Sequence, residues 1–223
     1  MKRLALGPIG AAVSLALAGT ALADPTEFYS SNFEGGTAGA EWGANKVITG
    51  ATNFTKFMGR YSEFDAIKLK LSVPDGVREG LKEGQWIQYG VTFDLYCIDS
   101  WDGSEPQNGK DYFQVVVDGS QLFSETFANV HDIQTFREPD IGRKHLGFSS
   151  KWEDSIYLGI SVPFLVDQSK DAFSISFRSR NLSSMDDESW GIDNIHVSYE
   201  VVPAPGVAGV LGLGVAGLAR RRR

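Results

Sequence analysis

Four carboxylates fall within the thirteen residues that follow the apolar run ending at Ile98: Asp99, Asp102, Glu105 and Asp111, with Trp101 and Gly103 among them. A second group, Asp186, Asp187 and Glu188, stands directly before Ser189 and Trp190. Calcium takes oxygen ligands from carboxylates, carbonyls and water, and clustered Asp on a glycine-containing loop is its natural host. The expected metal ligands are therefore Asp99, Asp102, Asp111, Asp187 and Glu188. The spacing is not that of an EF-hand, because the alternating Asp positions and the closing glutamate are missing. A solvated acidic turn is the competing reading.

Both groups place a Ser-Trp pair beside carboxylates. A buried tryptophan fixes a loop through its area and its N–H, whereas an exposed one stacks on a sugar ring. Trp101 and Trp190 thus carry two readings, structural anchor and ligand-binding platform. Ser100 and Ser189 read as turn-capping hydroxyls rather than nucleophiles. Glycosidic cleavage needs two carboxylates flanking a cleft, and Glu188 with Asp99 or Asp193 is a formal pair. Acidic residues are abundant, so such a pair arises by chance. Only His131, His145 and His196 exist, and no Gly-x-Ser-x-Gly, His-Glu-x-x-His or phosphate loop occurs. No catalytic residue is assigned.

The elements that must hold these loops are strands. Ile67, Leu69 and Leu71 alternate with Lys68 and Lys70, and Val91, Phe93, Leu95 and Cys97 with Thr92, Asp94 and Tyr96. Phe113, Val115 and Val117 repeat the pattern before an Asp118-Gly119 hairpin turn. Ile156, Leu158, Ile160 and Val162 follow, then Phe173, Ile175 and Phe177, and finally Ile195, Val197 and Tyr199. Eight to ten short strands without βαβ spacing predict an all-β fold, a two-sheet antiparallel β-sandwich of jelly-roll type. Cys97 is the single cysteine and reads as a small core residue.

The ends differ from this middle. Lys2 and Arg3 precede an uncharged run from Leu4 to Leu22, and Ala21-Leu22-Ala23 supplies a signal-peptidase site at Ala23. At the other end Val202-Pro203-Ala204-Pro205-Gly206 breaks the last strand, an apolar segment runs from Val207 to Ala219, and Arg220 to Arg223 close the chain. That segment is shorter than the roughly 20 residues of a full crossing. The expected domains are a signal peptide over 1–23, a β-sandwich over 24–202, and a sorting tail with a short transmembrane helix over 203–223. Six of the 21 Lys and Arg lie in the two ends and no Asp or Glu does, leaving the domain 15 positive against 28 negative groups, net −13. Such a charge repels phosphate backbones and argues against nucleic acid as partner.

The Pro-x-Pro, apolar segment and terminal arginines resemble the PEP-CTERM sorting tail of exosortase substrates, with Ala204 where that family usually has glutamate. The resemblance implies export, transient anchoring in the inner membrane, and cleavage near Pro203 and Pro205 by an exosortase-type protease, with Arg220 and Arg221 in the retained cluster. The destination it implies is the cell surface, outer envelope or extracellular space. Ser31-Asn32-Phe33-Glu34-Gly35-Gly36 with Trp42, and Trp190-Gly191-Ile192-Asp193-Asn194-Ile195, resemble the opening and closing strands of galactose-binding-like jelly rolls, several carbohydrate-binding modules among them. The implication is that the terminal strands lie side by side with a structural calcium between them, which adds Glu34 and Asp193 to the metal candidates. Asp99 to Gly103 together with Asp187 to Asn194 also resemble an uncharacterised domain common in PEP-CTERM surface proteins.

The expectation that results is a non-enzymatic surface module with structural Ca2+ that binds carbohydrate or matrix polymer. Its processing partners are signal peptidase and the exosortase-type protease. A purely structural envelope or biofilm component, and a glycan-active hydrolase or lyase, are the alternatives.

Overall fold

The computed structural model describes residues 24–203 apart from 45, 46, 52, 53, 64, 106, 108 and 132. Ala23, Pro205, Arg220, Arg221 and both expected flanking helices lie outside the described residues. Eleven strands follow in order: β1 (Thr26–Ser31), β2 (Ile48–Ala51), β3 (Phe54–Tyr61), β4 (Ala66–Ser72), β5 (Gln85–Asp99), β6 (Tyr112–Val117), β7 (Ser120–Thr126), β8 (Ile141–Lys144), β9 (Asp154–Leu165), β10 (Ala172–Arg180) and β11 (Glu188–Pro203). One short 3-10 turn, Ala40–Trp42, seats Trp42 in the core.

The strands form two antiparallel sheets. The larger has the order β2-β3-β11-β5-β9-β8, with β1 also on β11, and the smaller has the order β4-β10-β6-β7. β11 is the spine of the larger sheet. Along one edge it pairs with β5 from Glu188↔Asp99 to Pro203↔Gln85, and β3 and β1 share its other partners in succession. The first and last strands therefore lie side by side. β11 runs through Pro203, one residue past the predicted break, because the proline sits at the last pair of the ladder.

The core is the space between the sheets. Ile67, Leu69, Phe113, Val115, Phe173, Ile175 and Phe177 of the smaller sheet meet Val91, Phe93, Leu95, Cys97, Ile192, Ile195 and Val197 of the larger. Each large apolar side chain so buried contributes about 1.5–3 kcal/mol. Phe93 meets Phe177 edge-on at 5.1 Å, and Phe113 meets Trp190 at 5.2 Å. Burial pushes the Cys97 thiol well up, so it is an inert core residue. The Asp118-Gly119 turn joins β6 to β7 with both residues at positive φ, as a two-residue hairpin of the primed kind requires.

Two departures from simple alternation matter. The outer face of the larger sheet is itself covered: Phe57, Tyr96, Ile98 and Ile156, with Phe54, Leu146 and Phe148, form a second apolar cluster there. Tyr96 and Asp94 are buried as a result, although they face away from the main core. Second, β9 does not keep Ile156, Leu158, Ile160 and Val162 on one face. A bulge between the Tyr157↔Leu95 and Ile160↔Phe93 pairs, with Gly159 at φ 62°, reverses the parity. Tyr157, Ile160 and Val162 enter the core, Ile156 joins the outer cluster, and Leu158 is exposed. A similar shift in β11, at Asn194 (φ 47°), lets Trp190 and Ile192 and then Ile195 and Val197 all face inward. One carboxylate clamps both bulges: Asp94 Oδ1 accepts from Gly159 N at 2.7 Å and Oδ2 from Asn194 Nδ2 at 2.8 Å.

Candidate functional site

The loop after β5 and the start of β11 meet at one end of the sandwich, because β5 and β11 pair up to Asp99↔Glu188. Carboxylate oxygens of Asp102, Asp111 and Glu188 lie there within 4.8 Å of one another. Asp111 and Glu188 are buried and Asp102 is partly exposed. The loop is held by Gly103, whose N-terminal neighbour Asp102 donates its N–H to Asp111 and whose own carbonyl accepts from Asp111 N at 2.9 Å. A side chain at Gly103 would put its Cβ 2.2 Å from Ile133 O, so glycine is required here for closeness as well as for its φ of 71°.

Burial pushes the Asp111 carboxyl up to about 7, opposed by its hydrogen bond from Asp102 N and reinforced by repulsion from Asp102 and Asp187. Burial likewise pushes Glu188 up to about 7, against the Ser183 N–H it accepts and with repulsion from Asp111, Asp102 and Asp187. The one basic side chain described beside the triad is His131, whose Nε2 is 3.5 Å from Asp102 Oδ1. Three hard carboxylate oxygens that converge, among the described residues, without a guanidinium or ammonium fit a calcium or magnesium ion, with backbone carbonyls and water completing the shell.

The other predicted ligands are placed elsewhere. Asp187 borders the triad, but its carboxylate and carbonyl both accept from Ser100 Oγ at 2.8 Å. Ser100 thus ties the loop to the β10–β11 connection, as a capping hydroxyl. Asp99 belongs to a separate network: Arg60 donates to its Oδ2 at 2.9 Å, to Ser189 Oγ at 2.8 Å and to Met185 O. Burial raises the Asp99 carboxyl to about 6 although Arg60 opposes it. Asp154 closes the network by accepting from Asp99 N and Leu146 N, both at 2.9 Å, and Arg60 lies 4.7 Å over the Phe148 ring. Asp99 is therefore an ion-pair partner outside the triad, its Oδ1 buried and without a hydrogen-bond partner.

The site implied between the terminal strands does not fit a metal. Glu34 is exposed on the turn after β1, whereas Asp193 is buried beneath the outer cluster. Asp193 accepts from Tyr96 OH at 3.1 Å, Thr55 Oγ1 at 3.2 Å and Asn194 N at 2.7 Å. Burial raises its carboxyl to about 6.

Trp101 and Trp190 are also corrected as ligand platforms, since both have 0% exposure. Trp101 donates to Ser189 O at 2.8 Å and Trp190 to Ser179 Oγ at 2.9 Å, so neither ring has a face for a ligand. They bolt the triad's two supporting segments to the core. The Glu188–Asp99 pair of the hydrolase reading is 3% and 2% exposed and bonded to Ser183 and Arg60 respectively.

An open surface lies instead on the outer face of the smaller sheet, which sequence reasoning did not single out. A groove of about 370 Å³ there is lined by Lys110, Tyr112, Gln114, Gln121, Ser124, Arg180 and Asn181. Arg178 Nε donates to Gln114 Oε1 at 2.9 Å, and Gln114 Nε2 to Ser124 Oγ at 3.0 Å, so a row of amide, hydroxyl and guanidinium groups crosses three strands. Its signal in the sequence is the polar half of each alternating strand.

No protein-family profile and no curated protein matches the sequence. Among solved structures, dimeric latent PorU from Porphyromonas gingivalis aligns with a TM-score of 0.45 and 12% identity over 81% of this chain and 13% of that one. BtGH115A, a family GH115 4-O-methyl-alpha-glucuronidase with specificity for decorated arabinogalactans, aligns with 0.39 and 15% over 78% of this chain and 18% of that one. TmCBM27, a carbohydrate-binding module that recognises mannan, aligns with 0.35 and 11% over 80% of this chain and 99% of that one. Likeness this distant assigns no function.

Proposed function

We propose that the chain is an exported cell-surface or extracellular-matrix protein whose jelly-roll domain is a non-enzymatic carbohydrate- or matrix-binding module stabilised by calcium. The observation that carries this reading is the groove on the smaller sheet. Sugars are bound by planar amides, hydroxyls and guanidinium groups that match vicinal hydroxyls, with an aromatic ring against an apolar sugar face. Gln121, Ser124, Asn181 and Arg180 supply the first set and Tyr112 the ring, while the buried Gln114 braces Arg178 and Ser124 from below. The groove is built on paired strands, so its donors are positioned before any ligand arrives.

Calcium would be held by Asp102, Asp111 and Glu188, with Asp187 beside them. It would neutralise the repulsion described above and fix the loop to the start of β11. Export rests on the signal-peptide pattern and the PEP-CTERM-like tail, which bring signal peptidase, an exosortase-type protease and the membrane as processing partners.

The test is affinity electrophoresis of the purified protein through gels containing soluble polysaccharides, with calcium present. Retardation by at least one polymer, reduced in Tyr112→Ala and Gln121→Ala, is the expected result. Unretarded migration in every polymer tested would overturn the binding reading in favour of a purely structural component.

A further inference from the structure

The groove is one part of a wider and chemically uniform surface. Lys68 and Lys70 on β4, and Arg178 and Arg180 on β10, occupy the positions that alternate with the core residues Ile67, Leu69, Ile175 and Phe177. They share the outer face with the groove: β4 pairs with β10 and β10 with β6, Arg178 lying opposite Ala66 and Gln114. Lys110 joins them at the β6 end, its carbonyl accepting from Asn181 Nδ2 at 3.1 Å. Five of the domain's 15 cations therefore stand on one face of one sheet.

The counterpart of this enrichment is the lack of acid. The outward positions of β4, β6 and β10 are Ala66, Lys68, Lys70, Ser72, Tyr112, Gln114, Val116, Ala172, Ser174, Ser176, Arg178 and Arg180, with no Asp or Glu, in a domain that holds 28 of them. Two carboxylates of the adjoining turns, Asp118 and Asp171, are already paired with Lys170 and Arg78. Among the described residues, Lys68, Lys70, Lys110 and Arg180 have no carboxylate partner. A surface that segregates unpaired cations on a strongly acidic protein presents a local field opposite to the whole.

We infer that this face selects an anionic polysaccharide, a polymer with uronate carboxylates spaced along a chain of hydroxyl-bearing rings. The inference rests on the carbohydrate-binding reading and adds the charge class of its ligand. Charge complementarity chooses the anion, and the amide and hydroxyl groups between the cations choose a sugar polymer over a denser polyanion. Duplex DNA, with one charge per about 1.7 Å, is repelled at longer range by the net −13 of the domain. A polyuronate carries only one charge per sugar ring, so the same net charge opposes it less strongly.

Binding of the purified full-length protein to polygalacturonate, to a neutral galactomannan and to duplex DNA is measured by biolayer interferometry at several salt concentrations. Polygalacturonate is expected to bind most tightly, with affinity falling as salt rises. A Lys68→Glu/Lys70→Glu variant, altered only at exposed positions, is expected to weaken it about tenfold or more and to flatten the salt slope. An unchanged circular-dichroism melt shows that this variant folds. Equal binding to galactomannan with a silent variant would overturn the anionic inference while the carbohydrate reading stands. Binding to neither polysaccharide would overturn both, and preference for DNA would replace the sugar polymer with a nucleic acid.

Discussion

Two carboxylate networks occupy the same end of the sandwich and differ in one respect. Asp99 and Asp154 share a guanidinium as well as backbone N–H groups, whereas among the described residues Asp102, Asp111 and Glu188 converge with backbone N–H groups and a histidine but no guanidinium or ammonium. Asp111 and Glu188 are as buried as Asp99 and Asp154, so for them the difference is in the partner. The first network is charge-balanced by Arg60, with only Asp99 Oδ1 left buried and without a hydrogen-bond partner, and serves stability. The second is an unfavourable arrangement unless a cation joins it, which is how a folded chain marks a binding site rather than a structural bond.

The largest expected effect breaks the first network. Arg60→Ala leaves Asp99 buried without its ion-pair partner and should cost about 3–5 kcal/mol in urea unfolding, independent of calcium. Asp94→Ala removes the clamp on both bulges and should cost about 2–3 kcal/mol by the same measurement. Gly103→Ala, which forces a 2.2 Å approach to Ile133 O, should cost a similar amount and weaken calcium binding with it. Glu188→Gln sharpens the contrast in the opposite direction. In chelator it should be neutral or stabilise by about 1 kcal/mol, because it removes a repelled buried charge.

The smallest effect is on pH. Asp111 and Glu188, raised to about 7, and Asp99 and Asp193, raised to about 6, hold protons more tightly in the folded chain than in the unfolded one. Their contribution is complete below the ordinary carboxylate range and is lost as pH climbs through about 6 to 7. In chelator the melting temperature should therefore fall between about pH 5 and pH 8, and calcium should flatten or reverse that slope. A melting temperature that rises with pH in chelator would contradict the placement of these carboxylates.

Much of the sheet structure was legible because burial on one face imposes a period of two, as in Ile67, Leu69 and Leu71. The reading went astray at β9, where Gly159 shifts parity inside an unbroken apolar run. It also went astray at Asp94 and Tyr96, where a second cluster covers what alternation marks as the wet face. The two acidic groups were visible as composition, and three of their expected ligands, Asp102, Asp111 and Glu188, do converge. What composition could not separate was Asp99 from Asp102, since Arg60, 39 residues away, decides between ion pair and metal ligand. The tryptophans were visible as residues and hidden as environments, for only the fold fixes which ring faces exist. The basic face was written in the polar halves of β4 and β10, where charge carries information that hydrophobic periodicity discards.

The claim on which the account turns is that the triad is a cation site. It is tested most directly by thermal unfolding of the purified protein in chelator and in millimolar calcium, alongside the Asp111→Asn and Glu188→Gln variants. The account predicts that calcium raises the wild-type melting temperature by at least several degrees, as expected for a ligand that binds only the folded state, and that either variant abolishes the rise. A melting temperature unchanged by calcium, or an equal rise in all three proteins, would contradict it.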